Sequence, residues 1–452
     1  MLVHPFDYEF QNNFYTYDEI KYIYDESSRF QRWLNFESAL IKAQAKFGIV
    51  KKEYAEEVVK NCNLSSWDKN EIREAYKNAK NSIIPLLQLL RNKCSEDARN
   101  YIHYGVTTQD VIDTGEVIAL KEILTIFRRD ITFLGQILYD IADMHKETPM
   151  IGRSHGQHAL PITFGYKTSL WLAEINRHLN RIIHIQKTCL FGQLGGAVGT
   201  FSVLEKPELI KQEVMNGLGL SFELQSWHTS RDRIAEIATT IAMLSETCGK
   251  IANEIFTLSR SEFLELSEKK KNSGKSSTMP HKLNPVLCQR TIVCVNQVRA
   301  QIPIILQAMG GEHERDPREL WGEWISIPTL MIFASTCLKN IILLLQNMDI
   351  HVDRMLENIR VFNDLICSEM LTFHLAPKIG KVKSSELVVN LSNQAVLQQS
   401  SLYELISNNS ELMKLFDEDI LSILKNPERC YGYSVDIADN ILKTHAFFSK
   451  KG

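Results

Sequence analysis

Residues 274–285 read GKSSTMPHKLNP, bringing three hydroxyls, two lysines, an amide and two prolines into twelve positions. Packing gives a surface loop no reason to combine these groups, whereas anion binding does. Lys282 offers a point charge, Asn284 and Thr278 offer hydrogen bonds, and Gly274 gives the backbone freedom to close over a ligand. Among such neighbours the Ser276 alkoxide can be stabilised, which is one way to make a hydroxyl a usable proton acceptor. The start of the stretch also looks like the end of a phosphate-binding P-loop, but that pattern needs glycine where the chain has Lys269.

Three other patches are dense in polar groups. HYGVTTQD at 103–110 is a natural helix start with a threonine hydroxyl as cap. The same groups can instead read a carboxylate through exposed N–H groups and the hydroxyls of Thr107 and Thr108. GRSHGQHALP at 152–161 holds His155 and His158 three apart, but no HExxH and no cysteine or acid lies within the segment, so no metal is expected. EHERD at 312–316 is, on its own, a solvated charge run. A glycine-rich turn at 192–200, GQLGGAVGT, serves either tight packing or ligand contact.

The elements that must position these patches are helices. Ile234, Ile237, Ile241, Leu244, Cys248, Ile251, Ile255 and Leu258 recur at alternating spacings of three and four, which demands a partner helix along the whole length. Leu172, Ile175, Leu179, Ile182, Gln186 and Cys189 repeat the pattern, and 329–376 contains no glycine or proline. No run of alternating strands with turn chemistry is evident. The expected fold is all-α in three helical domains, 1–112, 113–364 and 365–452. The central one is a long-helix bundle whose apolar seams other subunits would cover.

Composition narrows the classes. A chain of 452 residues with 44% hydrophobic and 23% charged content is ordinary for a soluble globular protein. Its net charge of -3 gives no reason to expect nucleic acid as a partner. Nine cysteines without CxxC spacing fit a reducing compartment. The N-terminal MLVHPFD lacks a basic region followed by an apolar run, and runs such as 341–345 are too short to span a bilayer. A cytoplasmic protein with no membrane partner is expected.

The string SSTMPHKLNP resembles the SSxMPxKxNP signature of the fumarase/aspartase superfamily, whose members make or break a C–N, C–O or C–C bond beta to a carboxylate. The 103–114 segment is similar to its HYGxTSxDxxDT motif, with Thr108 in place of serine, and 154–165 looks like its THxQxAxPxTxG region, with Ser154 in place of threonine. The resemblance spans essentially the whole chain and implies a role for each patch. Ser276 is implied as general base and His155 as proton donor to the leaving group. His103, Thr107, Thr108, Gln157, Lys282, Asn284 and Arg315 are implied as substrate contacts. Arg315 is suited to a carboxylate by its bidentate fork. The resemblance also implies a homotetramer with shared active sites, a small carboxylate substrate, and no cofactor.

The departures narrow the branch. Against HERDxSxSSxERxxLP of adenylosuccinate lyases, a serine and an arginine that hold the nucleotide fall on Leu320 and Trp324. The upstream RHD segment falls near Asn81 and Ser82, and an N-terminal Arg-Tyr pair has no counterpart in residues 1–8. Glu323-Trp324, 84–86, 376–380 and the 426–433 ending look more like 3-carboxy-cis,cis-muconate cycloisomerases and ethylenediamine-disuccinate-type lyases. Many fumarate-releasing members carry a glutamate thirteen residues after the serine. Here it is Gln289, which cannot stabilise an imidazolium with a full charge, so His155 should be a weaker acid. The reading is a C–N lyase that splits an N-substituted aspartate by β-elimination to release fumarate. Its rivals are a 3-carboxy-cis,cis-muconate cycloisomerase, an adenylosuccinate lyase and, from another class, an inactive crystallin-like structural protein.

Overall fold

A computed structural model describes residues 4–8, 10, 11, 14–269, 274, 275 and 278–449. Helix dominates, and the apolar stripes that begin at Leu172 and Ile234 each fall on one of the long helices. These helices are α1 (Glu26–Lys46), α2 (Thr108–Met144), α3 (Phe164–Thr188), α4 (Asp232–Leu258), α5 (Val286–Gln307) and α6 (Pro317–Gln346). Shorter helices follow, among them α7 (Ser368–Ile379) and α8 (Lys381–Gln398).

Among the described residues short strands occur as three antiparallel pairs. β1 (Pro149–Ser154) pairs with β2 (Gln157–Thr163), β3 (Leu266–Glu268) with β6 (Met348–Ile350), and β4 (Gly274–Lys275) with β5 (Leu283–Asn284). None of these pairings was legible as an alternating strand run, because each is too short or too irregular to show one. In the β1–β2 pair the register slips between Ile151 and Arg153. There Gly152 passes so near the opposite strand that a Cβ would meet the Leu160 carbonyl at 2.6 Å, a close approach only glycine allows.

Contacts divide the chain into two compact units. The first comprises Met1–Ile131, His178–Cys248 and Val293–Lys339; the second comprises Thr132–Arg177, Gly249–Ile292 and Asn340–Gly452. In the first unit α1 starts at the cap of Asp25, whose carboxylate accepts the Ser28 N–H. Lys339 of α6 donates to Asp130 of α2 at 2.8 Å, and His178 of α3 meets Thr247 of α4. In the second unit Lys167 of α3 pairs with Glu254 of α4 at 2.5 Å. Its C-terminal part has a core of its own, with Leu371 and Leu375 of α7, Val388 and Leu391 of α8, and Leu402 and Ile406.

One expectation about the seams needs correction. All eight residues of the Ile234–Leu258 stripe are buried within the single chain, none more than 2% exposed. That stripe therefore needs no other subunit. Among the apolar side chains left uncovered are several on and just after α5, where Val293, Ile304, Leu306 and Met309 are each more than two-fifths exposed. By length and composition both α5 and α6 are apolar enough to cross a membrane, although neither is an uninterrupted apolar run; α6 is mostly buried, as a core helix is.

Candidate active site

The 103–110 patch is built by buried polar residues of α1. Glu37, 2% exposed, accepts the His103 backbone N–H at 2.9 Å and contacts His103 Nδ1 at 2.7 Å. Gln44 donates to the Tyr104 carbonyl at 2.9 Å. These bonds hold His103 at φ 62° and Gly105 at φ 79°, both left-handed. Burial works against a charged His103 ring, but the charge and hydrogen bond of Glu37 outweigh it and raise the pKa. Two charged or amide groups in an otherwise apolar α1 face were the signal for this support.

Thr107 precedes α2 as its cap residue. Its N–H donates to Asp110 Oδ2 at 3.0 Å, while its hydroxyl accepts from Arg315 Nη1 at 2.8 Å. The helix starts here as expected, but the Thr107 hydroxyl accepts from Arg315 rather than from a backbone N–H of α2. Arg315 Nε donates to Gln109 Oε1 at 3.2 Å, and Gln109 in turn donates to Asp113 and to the His228 carbonyl. Asp110, fully buried, also accepts the Gly195 and Gly196 N–H groups and contacts His228 Nε2 at 2.8 Å. The glycine-rich turn is therefore seated on the first turn of α2 by one carboxylate. Three of these bonds to Asp110, those from Gly195, Gly196 and His228, could not be read from sequence, since their partners lie far along the chain.

Deeper in the same unit Arg231, 5% exposed, takes both oxygens of Asp113 at 3.0 and 3.1 Å and is also paired with Glu323. Burial opposes its charge, yet the two carboxylates raise its pKa further. Glu323, buried beside them, is itself pushed up by burial despite Arg231. Glu323 is thus a structural ion partner, and its neighbour Trp324 faces a cavity of about 480 Å³.

That cavity gathers Thr108, Gln109 and Arg315 with Leu320, Trp321 and Trp324 of α6, Ile112 of α2, and the segment around Lys80, Asn81 and Ser82. Leu320, Trp324 and the Asn81–Ser82 segment, three of the places where the chain departs from adenylosuccinate lyases, therefore line one space. His103 is not among its lining residues.

The second unit carries the other candidates. Ser154 pairs with Gln157 across a two-residue turn whose His155 and Gly156 have φ of 53° and 76°, the signs of a type I′ hairpin turn. His155 and Gln157 are exposed at this tip. Arg153 anchors the hairpin by donating to both oxygens of Glu265 at 3.0 and 2.6 Å. His158 lies edge-on to Phe362 at 5.4 Å, and burial lowers its pKa. Asn284 pairs with Gly274, so the signature stretch folds back on itself, and Lys282 is exposed. Ser276 lies outside the described residues. Among the described residues no hydrogen bond joins the hairpin tip to Lys282 or Asn284.

A family model described as lyase matches residues 14–300. The chain is 33% identical to N-acetyl-S-(2-succino)cysteine lyase of Dickeya dadantii over 96% of its length and 95% of that protein. It is also 33% identical to adenylosuccinate lyase of Pyrococcus abyssi, over all of both chains. The structure of 3-carboxy-cis,cis-muconate lactonizing enzyme from Pseudomonas putida superposes with a TM-score of 0.89 at 29% identity, covering 96% of this chain and 98% of that one. The chain belongs to this lyase family, within the fumarase/aspartase superfamily, and has its helical fold.

Proposed function

We propose that the protein releases fumarate from a small succinate carrying a heteroatom substituent at C2, with an N-substituted aspartate as the first reading. Ser276 takes a proton from C3, charge moves into the adjoining carboxylate, and the resulting dianion collapses to expel the leaving group with its electron pair. Lys282, Asn284 and the Thr107–Thr108 helix start stabilise that dianion, and His155 supplies the proton the leaving group needs. Arg315 orients a carboxylate. The observation that carries this reading is the setting of Arg315. Its Nε and Nη1 are held by Gln109 and Thr107, while Nη2 has no partner among the described residues, beside a cavity without an acidic side chain.

A second reading replaces nitrogen by sulfur. Gln289 gives His155 no carboxylate support, and a thiolate, with an ordinary thiol pKa of about 8.5, leaves with less help from an acid than an amine does. The Dickeya dadantii relative, named for a succinylated cysteine, supports the same choice. Fumarate absorbance with N-substituted aspartates, succinyl thioethers and a carboxy-muconate separates these outcomes. Ring closure without fumarate would replace elimination by cycloisomerisation.

The working form in this reading is a homotetramer with shared sites. Two observations support it: the apolar surface left open on α5, and the division of the candidate residues between two units. Mixing inactive Ser276→Ala with inactive His155→Ala should restore part of the activity through hybrid sites. An active monomer in light scattering would remove the arrangement.

A further inference from the structure

His228 is buried, and the elimination described above makes no use of it. Its hydrogen bonds nevertheless run to the residues that hold Arg315. Their direction follows from the backbone donors at either end of the chain of bonds. The Trp227 N–H donates to Gln193 Oε1 at 3.1 Å, so the amide nitrogen of Gln193 faces Ser226 and donates to its Oγ at 2.7 Å. The Ser226 hydroxyl is then left to donate to His228 Nδ1 at 2.9 Å. At the other end Asp110 accepts the Thr107, Gly195 and Gly196 N–H groups, each at 3.0 Å. His228 Nε2, 2.8 Å from the same carboxylate, therefore donates to it. Both ends require one tautomer of the ring, with the proton on Nε2.

Arg315 has three partners among the described residues, and each leads back to His228. Nη1 donates to the Thr107 hydroxyl, and the Thr107 N–H sits on Asp110. Nη1 also reaches the Ala197 carbonyl at 3.4 Å, next in the chain to Gly196, which the same carboxylate holds. Nε donates to Gln109 Oε1. The nitrogen of that amide donates to the His228 carbonyl at 2.9 Å and to Asp113 at 3.1 Å, which aims its oxygen at Arg315. The ring of His228 thus braces two of the partners through Asp110, and its carbonyl braces the third. A histidine that only fills the core has no need to meet every partner of one guanidinium.

We infer that His228 is a positioning residue for carboxylate recognition. Its Nε2–H, directed by Ser226 and Gln193, holds Asp110, and through it Thr107 and the glycine-rich turn, so that the Arg315 guanidinium keeps one plane. The inference rests on the reading of Arg315 as a carboxylate contact and adds the residue that sets its direction. A bidentate fork gains from such fixing, because two N–H groups must line up with two carboxylate oxygens at once. An ammonium has no plane to hold.

Succinate, a dicarboxylate with no leaving group, tests this by calorimetry on the protein as purified, independently of turnover. A glutamine amide nitrogen falls where Nε2 lies, whereas that of asparagine falls near Nδ1 and stops short of Asp110. His228→Asn should therefore weaken succinate binding about 5–30-fold, and His228→Gln no more than about threefold. In Arg315→Lys protein, where no fork is left to orient, His228→Asn should change the affinity by less than about twofold. Ser226→Ala keeps the ring and removes only the hydroxyl at Nδ1. It should weaken succinate about two- to fivefold, and it carries the test where His228→Asn fails to fold. Affinity that depends on Arg315 but falls equally in the asparagine and glutamine variants, or is unmoved by all three substitutions, would overturn the inference and leave Arg315 in place. An equal loss from His228→Asn with and without the fork would do the same. Succinate affinity unchanged by Arg315→Lys would overturn the carboxylate reading and the inference together.

Discussion

Arg315 Nη1 lies 2.8 Å from the hydroxyl of Thr107, at the first turn of a 37-residue helix. The bond joins two polar patches separated by about 200 residues of chain, and it fixes the plane of the guanidinium. Arg315→Lys keeps the charge but loses the fork. We expect kcat/KM for a dicarboxylate substrate to fall about 10–100-fold with an unchanged melting temperature. Steady-state kinetics beside a thermal melt checks this, and an unchanged kcat/KM would take Arg315 out of substrate binding.

Ser276→Ala should reduce turnover at least about 10³-fold, in line with loss of a group acting on the reacting atoms. Its place in the signature stretch, between Lys275 and Ser277, motivates the test. Near-normal turnover would pass the base role to Ser277.

The Glu37–His103 pair makes a pH prediction. The folded protein holds the His103 proton more tightly than the unfolded chain does, because Glu37 outweighs burial. The pair therefore adds stability below the ordinary histidine range, and the gain is lost as pH rises through the raised folded value. Glu37→Gln should lower the His103 pKa, read by NMR titration of the ring. The stability difference between wild type and variant should shrink as pH rises through that window. A His103 pKa unchanged by the substitution would show that Glu37 does not set it.

Much of this arrangement was legible in the sequence, for physical reasons that differ by element. The Ile234–Leu258 stripe gave its helix because apolar spacing near 3.5 residues has few other solutions, and its burial follows. The four polar patches stood out because their residue types have no use in packing. The hairpin that raises His155 did not, since its turn is His155-Gly156 rather than the usual asparagine–glycine pair and a bulge at Gly152 breaks its alternation. The partners of Arg231 and Asp110 were hidden too. Asp113, Glu323, His228 and Gly195 meet only when distant segments pack, and one sequence carries no record of such pairings.

Arg231 carries a stability prediction. Two carboxylates lie buried against it, so Arg231→Met leaves Asp113 and Glu323 with like charges and no cation. Breaking such a buried group from one side costs about 3–5 kcal/mol. Chemical denaturation should show a loss of that order, and Arg231→Met combined with Asp113→Asn and Glu323→Gln should recover part of it. A loss below about 1 kcal/mol would mean that water or a shift in protonation already relieves the site.

The last prediction concerns adenylosuccinate. Its phosphate carries up to two negative charges and needs several directed donors when it leaves water. The positions that supply a serine and an arginine in the resembled lyases are Leu320 and Trp324, and both line the cavity beside Arg315. Leu320 is 8% exposed, so its side chain is committed to packing. Asn81, at the third departure, spends its side-chain oxygen on two backbone N–H groups. Apart from Arg315, which Thr107 and Gln109 hold, Lys80 is the cation left in the wall among the described residues, and one ammonium is a poor match for a phosphate dianion. Adenylosuccinate should therefore be cleaved at least about 10²-fold less efficiently than a small succinyl adduct, a difference of about 2.7 kcal/mol. Initial rates at equal concentration, with fumarate followed directly, decide it. Cleavage of adenylosuccinate near the ~10⁴–10⁸ M⁻¹s⁻¹ usual for a physiological substrate would show that the nucleotide is held by other residues.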